Sequence, residues 1–210
     1  MPGPVPVEFF YGIGSRYSYL ASTQVARLEA EAACRVCWRP IYSADLFLMR
    51  GADPFAGKPV SGQYDWSYRR FDAECWADYY GVLYSEPSGL AFDPARLALA
   101  CTAAKRLGAV ERFSHRLFQA IFAENRSPID DAVCEALAAE IGLAEAEFRQ
   151  TLHEPQTARQ RAATVRDALG AGVFGVPSFV IGGRVYFGND RLPIVRHVLL
   201  RMRASGTKKG

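Results

Sequence analysis

The stretch VEFFYGIGSRYSYL, residues 7–20, decides the fold. Its first part, residues 7–13, is apolar and aromatic and runs into Gly12 and Gly14, the pattern of a buried strand that ends in a tight turn. A helix follows at once. Ser15 stands at its N-cap position, and Tyr19, Leu20, Val25 and Leu28 recur at helical spacing up to about residue 31. Residues 35–41 alternate as a second strand, which after a crossover helix is expected to lie parallel to the first.

Beyond residue 43 the pattern changes. A loop containing Gly and Pro is expected through Gly62, and helical periodicity then dominates from Tyr64 to Leu169. The spacing predicts helices over residues 65–80, 94–107, 110–122, 130–141, 144–152 and 155–169. Asp93-Pro94 is a capping pair, and Gly81, Gly108 and Gly142 are stop signals. Strands return at 178–181 and 184–187 around the Gly182-Gly183 turn, and a last helix is expected over 191–203, with residues 206–210 as a frayed tail. The order is βαβ, a helical block, then ββα. It describes a split α/β domain, residues 1–43 and 170–210, interrupted by an all-helical insertion over 44–169.

With 210 residues, half of them hydrophobic, the chain can bury a full core. Its net charge of +3 is too small to imply a nucleic-acid partner, and its apolar runs are too short for a membrane span. The opening residues lack a basic segment followed by a hydrophobic stretch, so a cytoplasmic protein is expected. The five cysteines are odd in number and lack zinc or disulfide-framework spacing, which suits a reducing compartment.

Two short segments could carry chemistry. Ser15-Arg16-Tyr17-Ser18-Tyr19 opens the first helix, where unpaired N–H groups and positive potential suit a thiolate and a serine hydroxyl can donate to bound sulfur. The plainer reading makes Ser15 a cap only and Ser18 a surface residue. Gly175-Val176-Pro177-Ser178 places a proline at the start of a strand; a cis bond there would free the preceding backbone to pair with an extended ligand, whereas a trans bond is the commoner case. Cys34-Arg35-Val36-Cys37 has redox spacing but lies where a helix hands over to a strand, which favours a structural role. His115, His153 and His197 lie on separate predicted helices, and no metal site is expected. The aromatic run Tyr64, Trp66, Tyr68, Phe71, Trp76, Tyr79 and Tyr80 could wall an aromatic ligand or simply pack a helix. Gly12-x-Gly14 lacks the third glycine of a dinucleotide fingerprint.

Ser-x-Tyr-Ser-Tyr-Leu-Ala after the first strand, Phe-Gly-Val-Pro-Ser-Phe after the helical block, and Phe187-Gly188-Asn189-Asp190-Arg191-Leu192 together resemble the DsbA-like family that contains kappa-class glutathione transferases and 2-hydroxychromene-2-carboxylate isomerases. Residues 68–81, with Asp72 and Trp76-Ala77, are similar to its insertion helix. The resemblance implies a thioredoxin-like fold split by the helical insertion, with Ser15 where a redox relative carries its reactive cysteine. It implies Ser15 as the catalytic serine holding the glutathione thiolate, Val176 and Pro177 pairing with the cysteinyl part, and Asn189 with Asp190 receiving the γ-glutamyl end. For Asn189 and Asp190 a helix cap is the alternative. Arg16, Tyr17 and Tyr68 are then candidates to meet the substrate. Lowering a thiol pKa by about two units takes roughly 2.7 kcal/mol. A hydrogen bond to charged sulfur, about 1.5–3 kcal/mol, and a helix terminus, about 0.3–1 kcal/mol, would supply that.

The chain also departs from the family pattern. Arg16 stands where relatives usually have proline, and an arginine there could bind a carboxylate or be solvated at the helix start. Asp65, Cys75 and Ala95 stand where relatives tend to carry lysine, arginine and asparagine. The expected function is a glutathione-dependent isomerase acting on an aromatic-derived carboxylate, with glutathione as cofactor and a homodimer as the assembly the resemblance suggests. The alternatives are a kappa-class-like glutathione transferase and a non-catalytic ligand-binding member.

Overall fold

A computed structural model describes residues 4–51, 66–86 and 91–207. The predicted loop over residues 52–62, Tyr64 and Asp65 lie outside the described residues, as does the end of the tail beyond residue 207. β1 (Val5–Tyr11), α1 (Arg16–Ser22), α2 (Val25–Ala32) and β2 (Cys34–Pro40) open the chain. α3 (Ser43–Arg50), α4 (Trp66–Tyr80), α5 (Pro94–Arg106), α6 (Val110–Phe122), α7 (Asp131–Glu140), α8 (Glu145–His153) and α9 (Pro155–Gly170) follow. β3 (Ser178–Ile181), β4 (Arg184–Phe187), a 3-10 turn (Asn189–Arg191) and α10 (Leu192–Thr207) close it. The strands form one mixed sheet in the order β2-β1-β3-β4, with β1 and β2 parallel and the other pairs antiparallel.

β1 is buried on both faces, and this explains why its sequence is nearly continuous in apolar residues rather than alternating. Phe9 and Tyr11 point to one side, where Phe9 stacks on Phe179 with ring centroids 4.9 Å apart and meets the edge of Trp38 at 5.1 Å. That core continues without a break into Phe118 and Phe122 of α6 and the alanine-rich face of α5. Tyr11 keeps its hydroxyl satisfied there through Ser114 Oγ at 2.5 Å. Phe10 points the other way, into a smaller cluster with Ile41, Leu46, Val165 and Val180. The sheet and the helical block thus share one principal core.

Three expectations are corrected. The first helix is two helices, because Ser22 and Thr23 turn their hydroxyls back onto the carbonyls of Tyr19 and Leu20, at 2.6 and 2.7 Å, and end α1 after seven residues. The segment after residue 43 begins with a helix, α3, whose Leu46 is fully buried and whose Asp45 pairs with Arg161 of α9 at 2.6 Å. Gly51, at φ 68°, ends that helix. The last helix runs on to Thr207 and is entered through the 3-10 turn. Among the described residues no helix is long and apolar enough to cross a membrane.

Candidate active site

The loop between β1 and α1 is knitted by short-range bonds. Ser15 N–H donates to the carbonyl of Gly12 at 3.0 Å, Ser18 N–H donates to Ser15 Oγ at 3.2 Å, and Gly12 N–H donates to Ser18 Oγ at 3.3 Å. Ser15 is therefore the N-cap of α1, in extended geometry. Ser18 is not a surface residue: it is fully buried and holds the loop closed. The Ser15 hydroxyl accepts one bond, and among the described residues its own hydrogen has no acceptor. It is free to donate to a ligand.

Tertiary packing brings the second segment to this loop. A Cβ on Gly12 would stand 3.3 Å from Val176 Cγ2, tighter than ordinary contact, so the turn before β3 packs directly against the turn after β1. The Val176-Pro177 bond is cis. Pro177 gives its carbonyl to Gly188 N–H at 2.9 Å, and Ser178 Oγ donates to the carbonyl of Gly175 at 2.8 Å. Val176 itself stays open, and among the described residues neither its N–H nor its C=O has a hydrogen-bond partner.

Asn189 and Asp190 follow β4 on the 3-10 turn, which packs beside α1. Neither side chain makes a capping bond among the described residues. Asn189 is 4% exposed, and its carbonyl accepts from Tyr80 Oη of α4 at 3.2 Å. Its Nδ2 is buried without a partner among the described residues. Asp190 lies at the surface and pairs with Arg191 at 3.0 Å. Gly188, at φ 114°, holds a backbone conformation that residues with a side chain rarely adopt, which is why glycine suits this position.

The residues after Ser15 take roles that local sequence did not carry. Arg16 is neither solvated nor exposed: its side chain is 6% exposed and its guanidinium pairs with Glu86 at 2.6 Å. Tyr17 donates its hydroxyl to Asp72 Oδ2 of α4 at 2.7 Å, and Arg69 lies over its ring, 5.9 Å from Cζ to centroid. Burial above all, and then the Asp72 bond, push the Tyr17 hydroxyl pKa well up, so it stays protonated. Tyr68 is 48% exposed, with its ring beside Phe71 at 6.5 Å. Cys75 is exposed too, and Ala95 gives its N–H to the Asp93 cap at 2.9 Å. Glu86 carried no sequence signal. Arg69 and Tyr80 share a helical face with Asp72, a periodicity that would have grouped them.

Cys34 and Cys37 lie on β2, one buried and one exposed, at strand positions of opposite facing. Three strand residues separate their Cα atoms by roughly 10 Å, beyond the roughly 7 Å limit of a disulfide. Burial pushes the Cys34 thiol up to about 11, away from a reactive thiolate. The wild-type chain and Cys34→Ser are accordingly expected to give the same insulin-reduction rate as a blank. A rate that depended on Cys34 would refute the assignment.

Comparison with known proteins places the fold. A model of the DSBA-like thioredoxin domain matches residues 6–199. The chain belongs to that family. The 2-hydroxychromene-2-carboxylate isomerase of Pseudomonas putida is 21% identical over 196 residues, which is 93% of this chain and 95% of the relative. A solved 2-hydroxychromene-2-carboxylate isomerase superposes with a TM-score of 0.83 at 19% identity, covering 98% of this chain and 99% of the other. The cytosolic disulfide reductase DsbM of Pseudomonas aeruginosa, solved with glutathione, has a TM-score of 0.62 at 19% identity over 96% of this chain and 100% of its own. In this DSBA-like domain the loop that leads into α1 carries Ser15, and none of the five cysteines lies there or in the turn around Pro177.

Proposed function

We propose that this DSBA-like domain is a glutathione-dependent isomerase of the 2-hydroxychromene-2-carboxylate type, acting on an aromatic-derived carboxylate. The observation that carries the reading is a serine hydroxyl free to donate on the same loop whose Gly12 packs against Val176, a residue whose backbone N–H and C=O are both open. The names of relatives at low identity support the reaction class.

Glutathione fits the groups present. Val176 would pair with the cysteinyl backbone, the unpartnered Nδ2 of buried Asn189 would meet the γ-glutamyl carboxylate with Asp190 beside it for the amine, and Ser15 would donate to sulfur. When bound, glutathione supplies a nucleophilic thiol that can add to a conjugated double bond and leave unchanged after rotation. Ser15 does what a neutral donor can: its oxygen is already engaged by Ser18 N–H, which strengthens its own donation. One such bond to charged sulfur contributes about 1.5–3 kcal/mol, or roughly one to two units of thiol pKa. Tyr17 is not available for this, because its hydroxyl is held by Asp72.

The reading is tested by titrating reduced glutathione into the protein by calorimetry and following 2-hydroxychromene-2-carboxylate spectroscopically. Saturable binding, turnover only with glutathione, and full recovery of free glutathione are expected. Loss of glutathione into an adduct would instead assign a transferase, and no binding up to millimolar concentration would remove the cofactor from the scheme.

A further inference from the structure

α4 lies along the site. Arg69, Asp72, Ala73, Trp76 and Tyr80 recur at helical spacing on one side of it. Ala73 is fully buried, Asp72 binds Tyr17 of α1, and Tyr80 binds the Asn189 carbonyl, so this side faces α1 and the 3-10 turn. Between Tyr80 and Arg69 the helix rises about 16 Å. One end is therefore fixed over Asn189, and the other places Arg69 above the ring of Tyr17, two residues from Ser15.

Arg69 is half-buried, yet among the described residues no carboxylate lies within ion-pair distance of it. Its neighbours differ: Arg70 pairs with Glu74 at 3.1 Å, and Arg16 pairs with Glu86. Asp72, one turn away, accepts the Tyr17 hydroxyl instead. Partial desolvation of a guanidinium is unfavourable, and the face of the Tyr17 ring offsets only part of that. What remains is a charged, planar fork of N–H donors beside a flat aromatic face, which is the complement of a carboxylate attached to a ring.

We infer that Arg69 and Tyr17 form the seat for the carboxylate of the substrate, an aryl or aryl-conjugated carboxylate held by the Arg69 guanidinium with its ring against Tyr17. The inference rests on the isomerase reading for the substrate class. The bond from Tyr17 to Asp72 fixes the plane of the ring, so Asp72 is a positioning residue.

Salicylate and its uncharged counterpart salicylamide, titrated into the full chain, test the seat without requiring turnover. The wild-type protein is expected to bind salicylate at least about tenfold more tightly than salicylamide, the size of one charge-assisted contact. Arg69→Gln is expected to erase that preference while leaving the glutathione affinity and the urea midpoint unchanged. Arg69→Lys should retain part of it, as a point charge without the fork. A wild-type protein with no preference, or an Arg69→Gln variant that keeps it, would overturn the inference. So would weakened glutathione binding with salicylate unaffected, which would assign Arg69 to a carboxylate of glutathione itself. Absence of chromene turnover with the salicylate preference intact would reject the isomerase reading and leave the seat standing.

Discussion

Ser15→Ala is expected to lower kcat for glutathione-dependent isomerisation by about one to two orders of magnitude, the worth of a single hydrogen bond to charged sulfur. The sign of its pH dependence is diagnostic. Without the donor the bound thiol is harder to ionise, so the rising limb of the rate profile should move to higher pH and part of the lost rate should return in base. The same substitution removes the N-cap of α1, for about 0.5–2 kcal/mol of stability. Ser15→Asp separates the two effects. It restores an acceptor for Ser18 N–H but offers sulfur a negative charge in place of a donor, so stability should recover and activity should not. An Ser15→Ala enzyme with unchanged kcat and pH profile would remove Ser15 from the chemistry.

Glu86→Gln is expected to cost about 3–5 kcal/mol of folding stability, read as a fall in the urea midpoint at unchanged slope. The side chains of Arg16 and Glu86 are 6% and 5% exposed, so the carboxylate balances a charge that water barely reaches. Surface pairs such as Arg27 with Glu31, where the arginine is 73% exposed, contribute far less, and Glu31→Gln should shift the midpoint little. Replacing both members, Arg16→Met with Glu86→Leu, should recover most of the loss, since an apolar pair pays no desolvation. If Glu86→Gln alone were neutral, the pair would not be holding the start of α1 in place. In that case Ser15 would owe its position to the Gly12 and Ser18 bonds alone.

Local physics made much of this molecule readable. The aromatic strand running into Gly12 and Gly14, the serine cap, the Asp93-Pro94 helix start and the Gly182-Gly183 turn each act within a few residues, and each recurs in the structure within a residue or two. Helix α6 and strands β3 and β4 match the predicted bounds. The failures were competitions between nearby signals. Ser22 and Thr23 broke a helix that apolar spacing alone would continue, and Leu46 drew a helix out of an expected loop because a core on the far face of the sheet had room for it.

The amino-acid sequence by itself determined the strand–loop–helix that presents Ser15, the helical block, the final hairpin, and the two segments that carry the open polar groups. Only the tertiary structure decided how they meet. Gly12 lies against Val176, Arg16 is matched by Glu86, Tyr17 is held between Asp72 and Arg69, and Tyr80 is bound to Asn189, across separations of 55 to 109 residues for the hydrogen-bonded pairs. Capping, turn formation and helical periodicity are short-range and are written in adjacent residues. Ion pairing and aromatic contact act through space, so their partners become known only once the shared core has brought distant segments of the chain together.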